Sequence, residues 1–279
     1  RNFKKNIMPE LPEVETIVNG IKPFTENQTI KSCKVRVEKL RWKLDKRLDR
    51  KIINSKILGV KRRAKYIIIQ TNKNYIIFHL GMTGSLRISK ENKKNEKHNH
   101  IIFKLSNGFH LLFYDVRKFG MIFVTQENPE KSHELLTRLG VEPLTKEFNQ
   151  NFLFKLTRGK KVNIKSLIMN ANYIVGVGNI YANESLFLSG ILPTRIASKL
   201  SKDDCKILVK SIKNVLRKAI RKGGSSIKDY IDADGKEGYF QYDFKVYSRA
   251  GEPCYNCSNT ILKITINQRA SYLCSNCQK

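Results

Sequence analysis

The chain has 279 residues, with 53 Lys and Arg against 24 Asp and Glu for a formal net charge of +29 and a pI near 9.9. That length supports a sizeable core and two domains, and so large a cationic excess is the footprint of a polyanion binder. No stretch approaches the roughly 18 apolar residues of a membrane span, and residues 1–7 hold no apolar run of signal-peptide length, so neither is expected. An AT-rich genome would explain abundant lysine and asparagine but not the shortage of balancing acids. Nucleic acid is the expected partner.

Met8-Pro-Glu-Leu-Pro-Glu-Val-Glu-Thr16 reads as a start that lies inside the chain. A proline directly after an initiator methionine is normally exposed when that methionine is removed. The product is a secondary amine with the acidic side chain of Glu10 beside it. A free α-amine titrates near about 7.7–8.0, against about 10.4 for lysine, so more of it is neutral and nucleophilic at physiological pH. Behind residues 1–7 the Pro9 nitrogen is an amide and cannot attack. The functional polypeptide is therefore expected to begin at Pro9, with 1–8 an extension or unprocessed start.

Pro12 suits the first turn of a helix, and Val14, Ile17, Val18 and Ile21 follow at the spacing of one buried face. From about Thr29 to Thr125 the pattern changes to strands: Ile30–Val37, Tyr66–Gln70, Tyr75–Leu80, Ile101–Leu105, Phe109–Tyr114 and Met121–Val124. Ser106-Asn-Gly108 supplies a hairpin turn, and Glu91–His98 reads as a polar loop. Repeated short strands predict a sandwich or barrel. After Glu127 the pattern is helical. Ser201 with Asp204 forms a capping signal before the apolar face Cys205, Leu208, Val209, Ile212, Val215, Leu216, Ala219 and Ile220. Gly223-Gly224 ends that helix. The domain boundary is expected near Gly140–Asn151.

The tail carries Cys254-x2-Cys257-x16-Cys274-x2-Cys277. Two closely spaced cysteine pairs supply the four thiolates that a tetrahedral zinc prefers, and in a reducing cytoplasm this outweighs redox or disulfide pairing. One structural Zn2+ is expected, on a hairpin formed by Ile261–Ile266 and Gln268–Leu273. Cys33 and Cys205 fall at apolar positions and read as core residues. Val175-Gly-Val-Gly-Asn179 is a glycine-rich turn before a helix, able to bring backbone N–H groups close to a phosphate. Lys160, Lys161 and Lys165 lie just upstream of it.

These stretches, together with Arg62-Arg-Ala-Lys-Tyr66, His79-Leu-Gly-Met-Thr-Gly-Ser85 and the region Gly223–Phe240, resemble the bacterial formamidopyrimidine-DNA glycosylases from Met8 to the C-terminus. The resemblance implies an α+β chain: an N-terminal catalytic β-sandwich with flanking helices over 9–138 and a linker over 139–151. A helix–two-turns–helix DNA-binding domain over 152–242 and a zinc ribbon over 243–279 follow, with DNA in the cleft between the domains. The implied activity is excision of oxidised purines from double-stranded DNA followed by strand cleavage. The implied carrier is a monomeric, nucleoid-associated bacterial enzyme of the cytoplasm with no membrane partner.

The same resemblance assigns the site. Pro9 is the nucleophile, Glu10 manages protons at the sugar, and Lys65 and Arg269 bind phosphates and assist elimination. Met82, Arg117 and Phe119 fill the space left by the flipped nucleotide. His98, Lys160 and Asn179 are further DNA contacts. Glu13 is expected to be a structural or polar support, and Gly224–Tyr239 a loop closing over the damaged base. Val116 and Lys118 stand where the family commonly has Pro and Arg. Two other readings remain open: an endonuclease VIII-like enzyme for oxidised pyrimidines, whose start usually has Gly where Leu11 stands, and a non-catalytic damaged-DNA-binding protein if Pro9 is not freed.

Overall fold

The structure, a computed structural model, describes residues 8–90, 96–225 and 240–279. They fall into two compact units, one of residues 8–137 with 222–225 and one of residues 138–221 with 240–279.

In the first unit, helix α1 (Leu11–Thr25) is followed by β1 (Ile30–Val35), α2 (Leu48–Ile52), β2 (Ile57–Arg63), β3 (Tyr66–Thr71), β4 (Tyr75–His79), β5 (Gly84–Ser89), β6 (Asn99–Leu105), β7 (His110–Asp115) and β8 (Met121–Thr125). Two short helices, α3 (Pro129–Ser132) and α4 (Glu134–Thr137), complete it. The strands form two four-stranded antiparallel sheets, ordered β1-β6-β7-β5 and β2-β3-β4-β8. Every strand predicted here lies in one of them, and β2 and β5 add the two that were not predicted. Alternate residues of each sheet meet in one core: Ile67, Ile69, Ile76 and Phe78 from one, Leu86, Phe103 and Phe113 from the other. Val14, Ile17, Val18 and Ile21 of α1 join the same cluster, as their spacing predicts. This is the expected β-sandwich with a flanking helix.

In the second unit, α5 (Gln150–Thr157), α6 (Ile164–Ile168), α7 (Asn179–Leu188) and α8 (Lys202–Arg221) precede the hairpin β9 (Leu262–Ile266) and β10 (Arg269–Leu273). The Ser201 and Asp204 capping box forms reciprocally: each amide donates to the other's side chain, at 2.8 and 3.0 Å. This satisfies two amides that the helix start would leave without partners. Leu208, Val209, Ile212, Val215, Leu216 and Ala219 of α8 are buried, and both α5 and α7 pack on it. Among the described residues no helix is long and apolar enough to cross a membrane.

Candidate active site

Pro9 is buried and immediately precedes Glu10, the N-cap residue of α1 and itself 3% exposed. The Glu10 amide donates to Glu13 Oε2 at 2.9 Å, and the Glu13 amide returns a bond to the Glu10 side chain. Acidic groups suit this position because the helix start presents free N–H groups and the positive end of the dipole. Glu13 does more than support its neighbour. Its Oε1 accepts both the amide and the hydroxyl of buried Ser225, each at 2.8 Å. The start of α1 is thereby fastened to the chain leaving Gly224, as a polar support should do. The rest of the predicted closing loop, 226–239, lies outside the described residues.

Lys65 sits in the turn between β2 and β3, after Ala64 with its left-handed φ of 54°. Arg62 donates to Glu15 of α1 at 2.5 Å and to the Ala64 carbonyl at 3.0 Å, so the turn bearing Lys65 is tied to the helix that follows Glu10. His79, at the end of β4, packs edge-on against Tyr66 at 4.9 Å, and its Nδ1 accepts the Gly81 amide at 3.0 Å. Burial, with the charges of Lys65 and Arg41, brings the His79 imidazole down from 6.5 to about 4. It is a neutral neighbour of the lysine at physiological pH.

Met82 is half-buried in the turn after β4, whereas Arg117 and Phe119 stand exposed on the loop after β7. The Arg117 guanidinium lies 4.5 Å from the Phe119 ring centre. The carboxylate of Asp115 accepts the Arg117 and Gly120 amides and so frames this loop, a role that sequence reasoning missed. His98 lies nearby in the fold, its ring 5.7 Å from Tyr114 and its carbonyl accepting the Asp115 amide.

In the second unit the glycine turn runs into α7 with Gly178 as N-cap and Asn179 as the first helical residue. The Asn179 carboxamide donates to the Ala270 carbonyl at 3.0 Å, so part of its donor capacity holds the hairpin. Lys160 is half-buried, and its ammonium meets the Tyr173 hydroxyl at 3.3 Å. Lys165, which lies upstream of the glycine turn with Lys160 and Lys161, is turned into the fold. It is 1% exposed and donates to Ser271 Oγ and the Ala270 carbonyl, because Asn163 caps α6 and turns the next residues inward. Arg269 is exposed directly after Asn267 and Gln268, whose positive φ values of 46° and 60° give the two-residue turn characteristic of tight hairpins. Glu184, unremarked in the sequence, is buried and accepts the amides of Lys245, Val246 and Tyr247 at 2.8–3.0 Å.

The sulfurs of Cys254, Cys257, Cys274 and Cys277 lie within 4.8 Å of one another. Cys254 and Cys277 are 3.8 Å apart, and Cys257 and Cys274 3.4 Å. Thiolates about 2.3 Å from a tetrahedral zinc are separated by roughly 3.8 Å, so the donors fit that ion in type, number and spacing. The amide of Asn259 brings the Cys257 thiol down to about 6. By contrast, Cys205 is fully buried, and burial aided by Asp49 raises the Cys33 thiol to about 12. Neither is a reactive thiolate.

Three family descriptions match the chain in order: "Formamidopyrimidine-DNA glycosylase N-terminal domain" over 8–122, "Formamidopyrimidine-DNA glycosylase H2TH domain" over 139–230, and "Zinc finger found in FPG and IleRS" over 251–279. The formamidopyrimidine-DNA glycosylase of Hydrogenovibrio crunogenus is 49% identical over 272 residues, covering 98% of this chain and 97% of that one. Among solved structures, the MutM (Fpg) protein of Thermus thermophilus is 31% identical with a TM-score of 0.85, covering 97% of this chain and 98% of that one. The Lactococcus lactis Fpg in complex with DNA containing N7-benzyl-Fapy-dG is likewise 31% identical, with a TM-score of 0.88 and coverage of 97% and 100%. The zinc-finger match and the four converging cysteines together make the ribbon a structural zinc site.

Proposed function

This chain belongs to the formamidopyrimidine-DNA glycosylase family, and we infer from that membership that it is a bifunctional DNA glycosylase and AP lyase. It excises oxidised purines, 8-oxoguanine and formamidopyrimidines, from duplex DNA in base excision repair and cleaves the strand by β,δ-elimination. The observation that carries the reading is the Pro9–Glu10 pair rooted at the buried start of α1, in a chain whose family match begins at residue 8.

In the mechanism we propose, the Pro9 nitrogen, freed as a terminal amine, bonds to C1′ of the flipped nucleoside while the bond to the base breaks. Glu10, desolvated beside it, transfers protons at the sugar oxygen as the ring opens. The resulting iminium acidifies the C2′ hydrogens. The 3′ phosphate then leaves by β-elimination and the 5′ phosphate by δ-elimination. Lys65 and Arg269 bind those phosphates and assist. Met82 and Phe119 replace the lost stacking, and Arg117 hydrogen-bonds the orphaned base. His98, Lys160 and Asn179 contact the DNA backbone. Zinc supplies no reaction step; Cys254, Cys257, Cys274 and Cys277 use it to fix the ribbon that carries Arg269. We further read 9–138 as the catalytic domain, 139–151 as the linker, 152–242 as the DNA-binding domain and 243–279 as the ribbon. The enzyme acts as a monomer on nucleoid DNA in the bacterial cytoplasm.

Borohydride reduction during turnover tests the nucleophile. Protein beginning at Pro9 should form a covalent adduct with an 8-oxoguanine duplex, and the intact 279-residue chain should not. An equally strong adduct from the intact chain would point to a lysine. No adduct from either form, with damage-selective binding kept, would favour a non-catalytic binder.

A further inference from the structure

Asp115, at the end of β7, is wholly buried. Its Oδ1 accepts from the Thr83 hydroxyl at 2.5 Å and from the Arg117 amide at 3.3 Å, while Oδ2 accepts from the Gly120 amide at 2.7 Å. Thr83 Oγ1 in turn accepts from the Arg117 amide at 3.1 Å, so that N–H is shared between the two side chains. The main chain of Asp115 is fixed as well. Its amide donates to the His98 carbonyl at 3.0 Å, and its carbonyl accepts from His100 Nε2 at 2.6 Å. Two segments more than 30 residues apart, the Met82-Thr83 turn and the loop 116–120, thus meet on one carboxylate.

We propose that Asp115 is a positioning residue which clamps these two segments together, so that Met82, Arg117 and Phe119 enter the duplex as one body and Arg117 meets the opposite base in fixed register. The inference rests on the assignment of those three side chains as the fillers of the vacated space. Its physical basis is geometric. A bidentate contact to a base edge needs both donors in place at once, and a misplacement of about 1 Å is enough to forfeit much of it. Bonds made within either segment alone would stabilise that segment. Only a group bridging both fixes Arg117 relative to Met82.

Affinity for duplexes carrying a tetrahydrofuran abasic analogue opposite each of the four bases tests this. Such binding does not require a free Pro9, so a failure of the nucleophile assignment leaves it intact. The full chain should prefer one opposite base. Asp115→Asn and Thr83→Val should each cut that preference roughly tenfold or more, as expected when a buried charge-assisted bond is broken. Their double variant should lose no more than the greater single loss, because both remove one shared device. Thr83→Ser, which keeps the hydroxyl, should retain the preference. All variants should melt cooperatively, which separates register from folding. Preference kept by Asp115→Asn but lost by Arg117→Ala would overturn the clamp alone. A uniform loss by Asp115→Asn across all four duplexes would do the same. Preference kept by Arg117→Ala would remove the wedge assignment and the clamp with it.

Discussion

The Lys165 ammonium lies 2.6 Å from Ser271 Oγ and 3.1 Å from the Ala270 carbonyl oxygen, tying α6 to the strand that opens with Arg269. Asn179 shares the Ala270 carbonyl, and Asn183 Oδ1 accepts the Tyr272 amide at 2.8 Å. Three side chains from two helices therefore grip successive residues of β10. Lys165→Met keeps the volume of the stem but removes the ammonium. It should cost about 1–3 kcal/mol in chemical denaturation and weaken DNA binding through a less ordered Arg269. An unchanged unfolding midpoint with unchanged affinity would show that the grip does not depend on this lysine.

Removing a zinc ligand should have a larger and more local effect. Cys257→Ser should release the metal and loosen DNA binding, since β9, β10 and the turn before Arg269 are short and rely on the ribbon core of Val246, Ile261 and Tyr272. The β-sandwich has its own core and should keep its fold. Zinc content and near-ultraviolet circular dichroism measure the two parts. Zinc retained at one equivalent in the variant would contradict the assignment.

Acid should weaken the first unit through His79. Its folded-state value of about 4 lies below the ordinary 6.5, so between them the unfolded chain binds the extra proton. Stability is then fully present above about pH 6.5 and is lost as the pH falls toward 4, by at most roughly 3 kcal/mol. Burial lowers the His100 imidazole too, adding a slope of the same sign. His79→Gln should flatten part of the decline in unfolding free energy over this window. A wild-type profile that is level from pH 6.5 to 4 would rule the mechanism out.

Lys65→Ala and Glu10→Gln should separate binding from chemistry. Glu10→Gln keeps the shape of the helix start, so affinity for damaged duplex should survive while excision falls by about 10²–10⁴-fold. Lys65→Ala should slow base release and strand elimination unequally, because in the proposed mechanism this lysine is both a phosphate contact and a proton carrier. Single-turnover assays on 8-oxoguanine opposite cytosine resolve the two steps. Near-normal excision by Glu10→Gln would refute its role.

Much of this architecture was legible because it depends on local rules. The α1 face, the α8 capping box and the strands rich in Ile and Phe are readable from spacing, and the cysteine pairs from ligand chemistry. What escaped depends on distant partners. β2 was hidden because Lys61-Arg62-Arg63 reads as a charge cluster, although Arg62 is held by Glu15 from α1. The burial of Lys165 is not readable from its neighbours, because Ser271, 106 residues away, supplies its acceptor. Asp115 was passed over for the same reason: its side-chain partner Thr83 belongs to another turn. Glu184 likewise serves amides some 60 residues downstream. Burial of a polar group is a property of the assembled fold, and spacing in one segment does not encode it.

Gly81 adopts a φ of +65°, and a methyl group there would stand 2.4 Å from the carbonyl carbon of Phe119. Val116 and Arg117, by contrast, are exposed. Tolerance to mutation is therefore split across this small region, free at the tips and closed at the roots. Selection or an engineer can exchange Arg117 for a side chain with a different hydrogen-bond pattern and keep the scaffold beneath it. On the proposed assignment of Arg117, a new preference for the opposite base is one substitution away, whereas a new geometry would require rebuilding both turns at once.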